Sequence, residues 1–86
     1  MTPIIYSTPS CSPCRVLRHL LNKKNIPFEV RDITELKYLN ELRKYTDLNT
    51  VPITIIDGRV ITGTQVSKIE KAYHETVQGD PDVQNA

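Results

Sequence analysis

The chain has 86 residues, room for one small domain that buries about 60 to 65% of the surface its unfolded form would expose. Apolar residues make up 38%, in short periodic runs, and 11 Lys/Arg against 10 Asp/Glu leave a formal charge of +1. That pattern argues against a disordered chain, offers no apolar run near the roughly 20 residues of a membrane span and no basic stripe for a phosphate backbone. A folded protein with no nucleic-acid or membrane partner is expected.

The opening residues MTPIIYSTPS carry neither a basic leader nor the apolar run of a signal peptide, so a cytoplasmic location is expected. Ile4, Ile5 and Tyr6 form a short strand that ends in the Pro/Ser-rich loop Ser7 to Ser12. From Pro13 the period becomes helical, with Val16, Leu17, Leu20 and Leu21 read as one face. This helix should end near Asn25, because Pro27 disfavours helical geometry at Ile26. Phe28 and Val30 then alternate as a half-buried strand would.

Asp32 and Thr34 are candidate caps for a second helix, with Leu36, Leu39 and Leu42 facing inward, to about Tyr45. PITIIDGRVIT is the clearest local signal: two β-branched runs flank Asp57-Gly58, a dipeptide suited to a tight hairpin turn. After Gly63, the residues Val66, Ile69, Tyr73 and Val77 recur at helical spacing. The order is β-α-β-α-β-β-α, with a parallel first pair of strands and an antiparallel terminal hairpin in one mixed sheet.

The two cysteines, Cys11 and Cys14, lie in the motif Cys-Ser-Pro-Cys at the start of the first helix. A local staple gains little, since closing a four-residue loop removes about 2 kcal/mol of chain entropy. Structural zinc needs four ligands, and beyond the cysteines only His19 and His74 remain, without paired spacing. Redox chemistry is the strongest of the three readings. Free amides and the positive end of the helix dipole favour a thiolate at Cys11, which makes it the attacking thiol and Cys14 the resolving one. Pro13 suits the first turn because its missing N–H is not needed there.

With YSTPSCSPC after the first strand, TVP at Thr50 to Pro52, and ITGTQVSKI opening the last helix, the chain resembles the glutaredoxin-like redoxins of the thioredoxin-fold superfamily. The resemblance covers residues 3 to about 78; it implies a thioredoxin-fold domain over residues 1–78, a four-stranded mixed sheet flanked by helices, and leaves 79–86 as a polar tail. It also implies a cis Val51-Pro52 bond beside the cysteines, and substrate contacts at Pro13, Thr50, Val51, Pro52, Gly63 and Thr64. No metal ligand and no bound cofactor are implied. The external reductant would be glutathione or a flavoprotein reductase, the partners disulfide-bearing proteins, and the protein a monomer.

The departures bear on the reductant. Glutaredoxins carry a lysine, a basic residue and an aspartate around glutathione at positions that here are Thr8, Asn49 and Gln65. Arg15 and Arg18 replace that charge only in part. The spacing of ITGTQVSKI is similar to that of the ribonucleotide-reductase (NrdH-type) redoxins, glutaredoxin-like in sequence and thioredoxin-like in activity, although their aromatic, arginine and proline are absent. A thioredoxin-like dithiol oxidoreductase is therefore expected. The alternatives are an ordinary glutathione-dependent glutaredoxin, a redox-inactive module that binds peptides at Val51-Pro52, and an iron-sulfur glutaredoxin, which Pro13 and the missing charges disfavour.

Overall fold

The computed structural model describes residues 2–77. Among them the elements run β1 (Ile4–Ser7), α1 (Ser12–Lys23), β2 (Glu29–Asp32), α2 (Leu36–Arg43), β3 (Ile53–Ile56), β4 (Arg59–Thr62) and α3 (Val66–Val77). The element order matches the sequence expectation. Of the expected domain 1–78, Met1 and Gln78 lie outside the described residues, as does the whole of the predicted tail 79–86.

The strands form one sheet in the order β2-β1-β3-β4. β1 pairs parallel with β2, while β3 is antiparallel to both β1 and β4. β3 is central, and all four of its residues are buried. Its side chains divide by parity, as a strand covered on both faces requires. Ile56 joins Ile5, Leu17, Leu21, Ile69 and Ala72 in a cluster under α1 and α3. Ile53 and Ile55 join Tyr6 and Leu42 under α2. Each fully buried leucine or isoleucine contributes about 2 kcal/mol by leaving water.

The Asp57-Gly58 turn behaves as its sequence predicts. Both residues have positive φ, 50° and 75°, the pair that matches the twist of a two-residue hairpin. α1 ends in another sequence-legible device: Asn25 takes φ 57°, its N–H donates to the carbonyl of Asn22 at 3.1 Å, and Ile26 N–H reaches back to Leu21 at 3.0 Å. This left-handed cap satisfies two orphan carbonyls.

Four expectations need correction. Val16 is 51% exposed, because the inward face of α1 is set by Cys14, Leu17 and Leu21, and at about 100° per residue Val16 lies well around the helix from it. Val30 is 39% exposed, since β2 is a sheet edge; Phe28 alone packs on the core. Leu36 is 68% exposed: on α2 the pair that meets the sheet is Tyr38 and Leu42, four residues apart, and the helix stops at Arg43, short of Tyr45. Neither Asp32 nor Thr34 caps α2. Glu35 holds the cap position without a side-chain hydrogen bond, while the Asp32 carboxylate accepts from the N–H and hydroxyl of Thr34 at 2.8 and 2.7 Å, a local turn before the helix.

Candidate active site

β1 delivers the chain to the redox motif. Past Ser7, the loop tightens where Cys11 N–H donates to the Thr8 carbonyl at 3.3 Å. Cys11 has extended backbone and occupies the N-cap of α1, which starts at Ser12, one residue before the predicted start, with Pro13 in its first turn. A cap residue normally offers an oxygen to the free amides of the first turn; here a sulfur takes that place. The N–H of Cys14 donates to Cys11 Sγ at 3.1 Å. The two cysteines are joined in a disulfide, with Cα atoms 5.2 Å apart. Cys11 is 8% exposed and Cys14 1%, so Cys11 is the more exposed residue of the pair.

The strand pairing brings the second predicted motif to the same end of the sheet. Tyr6, near the end of β1, is opposite Ile53 at the start of β3, so Thr50, Val51 and Pro52 enter the sheet where the cysteine loop leaves it. The Val51-Pro52 bond is cis, the isomer that the resemblance implies. Pro52 is buried, Val51 half-buried and Thr50 exposed. Gly63 closes the third side: its N–H donates to the Pro52 carbonyl at 3.0 Å, with φ +69°. Thr64 is exposed beside it, and its carbonyl accepts from Val66 N–H at 2.8 Å as α3 begins.

The three uncharged positions behave differently. Asn49 Oδ1 accepts from Arg43 Nη2, and Gln65 Nε2 donates to the Thr62 carbonyl at 2.7 Å; both side chains are engaged with the chain itself. Thr8 is half-buried. Sequence reasoning missed Arg43, which also donates to the Leu48 carbonyl at 2.7 Å and to that of Thr46 at 3.4 Å. Its guanidinium thus holds the loop that leads into Thr50. It brings a positive charge to that corner, though with donors on both terminal nitrogens committed to the loop. Only the carbonyls and amide that it joins could have revealed it, and their path is not written in the residues between.

Arg15 is exposed and Arg18 half-buried on α1, and His19 and His74 are both exposed. Among the described residues no group of three or more His, Cys, Asp or Glu could hold a metal ion. Nor is any helix there long and apolar enough to cross a membrane.

Beneath the cysteine loop, on the α2 face, the buried Tyr6 hydroxyl donates to Glu41 Oε1 at 3.1 Å, and Arg31 bonds to both Glu41 and Glu29. Burial, and then the Glu41 hydrogen bond, push the Tyr6 hydroxyl above its ordinary pKa. Burial alone would raise the Glu41 carboxyl, but hydrogen bonds from Arg31 and Tyr6 and the Arg31 charge outweigh it and hold the group below the usual carboxylate range. This network fastens β1, β2 and α2 together below the site.

A mixed sheet between helices, with a cysteine pair at a helix N-terminus and a cis proline at the same end of the sheet, defines a thioredoxin-fold thiol-disulfide oxidoreductase. The glutaredoxin profile matches residues 4–61, and the chain belongs to the glutaredoxin family. It is 37% identical over 68 residues to a glutaredoxin-like 8.6 kDa protein in the rubredoxin operon of Clostridium pasteurianum, covering 78% of this chain and 91% of that one. Mitochondrial glutaredoxin-2 of Mus musculus is 31% identical over 64 residues, 70% of this chain but 41% of its own length. Among solved structures, the thioredoxin-like protein BC3987 superposes with TM-score 0.72 at 28% identity, covering 83% of this chain and 99% of its own. The glutaredoxin-like NrdH-redoxin of Escherichia coli gives TM-score 0.70 over 83% and 93% of the two chains, at 17% identity, a likeness of fold.

Proposed function

We propose that the protein reduces disulfides of partner proteins with Cys11 as the attacking thiol and Cys14 as the resolving thiol. The Cys14 N–H on Cys11 Sγ carries this reading, because a donated hydrogen bond and the helix dipole both favour negative charge on that sulfur. The Cys11 thiolate attacks one sulfur of the substrate disulfide; a Cys11–substrate bond forms, the substrate S–S bond breaks, and the leaving thiolate takes up a proton. Cys14, once deprotonated, attacks Cys11 Sγ, releases the second substrate thiol and leaves the Cys11–Cys14 disulfide. Two electrons and two protons pass to the substrate. The half-buried Val51 offers its backbone N–H and C=O to an extended substrate in strand-like pairing, with Thr50, Pro13, Gly63 and Thr64 around it.

Resetting the pair needs an external reductant, and a flavoprotein reductase of the thioredoxin-reductase kind fits better than glutathione. Glutathione carries two carboxylates and an amino group, while Asn49 and Gln65 are neutral and bonded internally. Neutral hydrogen bonds are worth roughly half as much as charge-assisted ones. The similarity to a solved structure described as thioredoxin-like supports this preference. Ribonucleotide reductase is one candidate for the disulfide substrate, and a reducing cytoplasm the compartment in which such a pair would cycle. The test offers the oxidised protein glutathione and a thioredoxin-reductase system side by side. Faster reduction by the reductase is expected; efficient glutathione turnover, insensitive to salt, would return the chain to ordinary glutathione-dependent behaviour.

A further inference from the structure

We propose that the outer edge of β4 and the facing side of α3 form a docking groove for an extended, acidic segment of a partner protein. β4 ends the sheet opposite β2. It pairs with β3 on one side, and among the described residues no strand covers the other. That leaves a row of backbone donors and acceptors for an added strand. Beside this edge is a groove of about 390 Å³ between β4 and α3. Its floor is apolar, with Ile61 7% and Ala72 2% exposed.

The charges at its rim choose the occupant. Arg59, Lys68 and Lys71 face a single carboxylate, Glu75, and Arg59 already pairs with that carboxylate at 2.7 Å. Arg59, first by hydrogen bond and then by charge, holds the Glu75 carboxyl below its ordinary pKa, with a smaller contribution from Lys71. The ammonium groups of Lys68 and Lys71 make no hydrogen bond or ion pair among the described residues. Lysines that guard an edge strand normally stand on the strand. These stand on α3, across the groove, so they frame the edge and leave Val60, 37% exposed, open to pairing. A strand laid there would turn alternate side chains toward α3, where carboxylates meet the two ammonium groups.

The groove also leads to the redox site. β4 ends at Thr62, and the next residue, Gly63, is hydrogen-bonded to Pro52. A partner held along β4 would therefore present its disulfide at the cysteine end of the sheet; this last step rests on the redox reading, whereas the docking does not.

The full chain, labelled with nitrogen-15, would be titrated with a ten-residue peptide bearing glutamate at alternate positions, and with its lysine counterpart. Saturable shifts at Arg59 to Thr62 are expected with the acidic peptide only. Affinity should fall about tenfold or more in the Lys68→Glu/Lys71→Glu double variant, as two charge-assisted contacts would require, and should be unchanged in Cys11→Ser. Equal binding of the basic peptide, shifts confined to Val51 and the cysteines, or loss of binding in Cys11→Ser would overturn the proposal. So would protection from exchange, without peptide, of those β4 amides that do not bond to β3, or dimers in sedimentation, since the edge would then be covered by the chain itself or by a second copy. If the acidic extension leaves reduction of a disulfide peptide unaccelerated while it still binds β4, docking stands and its link to the redox step fails.

Discussion

The backbone N–H of Cys14 points at the sulfur of Cys11 from 3.1 Å, so the first turn of α1 supplies its own free amide to the residue that caps it. In the reduced protein this amide and the helix dipole should lower the Cys11 thiol pKa below the ordinary value of about 8.5. Alkylation rate against pH would read it directly. Cys11→Ser should abolish disulfide reduction, while Cys14→Ser should keep the first attack and accumulate a mixed disulfide visible by mass. A Cys11 that reacts like a free cysteine at neutral pH would reverse the two roles or remove them.

Thr8→Lys tests the reductant preference. The backbone of residue 8 accepts from Cys11 N–H, a bond that the substitution leaves in place, so the change adds charge at the mouth of the site without rebuilding it. One charge-assisted bond to a glutathione carboxylate, about 1.5 kcal/mol, should raise glutathione-dependent kcat/KM by about tenfold. An unchanged value would show that charge at this position does not limit glutathione use.

The parts of this fold that were legible in the sequence are those with local causes. Asp57-Gly58 between β-branched runs fixes a hairpin, and Pro27 after Asn25 fixes where α1 stops. The order of elements follows from such signals. Facing was harder, because it depends on where the sheet lies. Val16 reads as apolar at helical spacing, yet counting Cys14 as a core residue would have turned the face toward Leu17 and Leu21 and left Val16 outside. Leu36, Leu39 and Leu42 drift around α2, since steps of three fall short of a full turn. In the site, the cysteines and TVP announce themselves through spacing; Arg43 does not, as it acts on carbonyls whose position only the folded loop sets.

Arg43 should be a positioning residue for that loop. Arg43→Ala removes donors to Thr46, Leu48 and Asn49 and should cost about 1 kcal/mol of stability. Amide exchange should quicken at Leu48, where the segment leading to Thr50 loses its anchor. Arg43→Lys should not restore protection, because an ammonium cannot span the carbonyl and the amide side chain as a planar fork does. If Lys serves equally well, charge alone is what the loop needs.

Gly63→Ala separates strain from clash. A Cβ on Gly63 would meet nothing within 4 Å, but φ is +69°, a region that costs an L side chain about 1 kcal/mol. Gly63→Ala should therefore lower stability by about that amount in denaturant unfolding. Gly63→Asn should lose less, as asparagine tolerates the left-handed region. Equal losses for the two variants would mean that the backbone shifts and breaks the Gly63–Pro52 bond.

Glu41 should govern the acid limit of the fold. Its carboxyl is held below the ordinary range in the folded state because Arg31 and Tyr6 bond to the ionised form and Arg31 attracts it, against a burial penalty that acts the other way. The folded state then releases a proton more readily than the unfolded chain. The stabilisation is fully present above the unfolded pKa of about 4.3 and fades as pH falls through the lower folded value. Unfolding free energy measured from pH 6 downward should fall for the unmodified protein once carboxylates begin to protonate. In Glu41→Gln that fall should be shallower, since the amide keeps an acceptor for Tyr6 and has no proton to gain, while stability at pH 6 should be lower because Arg31 loses its main anionic partner. Glu75, bonded to Arg59 at 2.7 Å and likewise depressed, supplies part of the same slope and would remain. An acid profile identical in the variant and the unmodified protein would show that Arg31 is satisfied by Glu29 and that the link from β1 to α2 does not depend on the Glu41 charge.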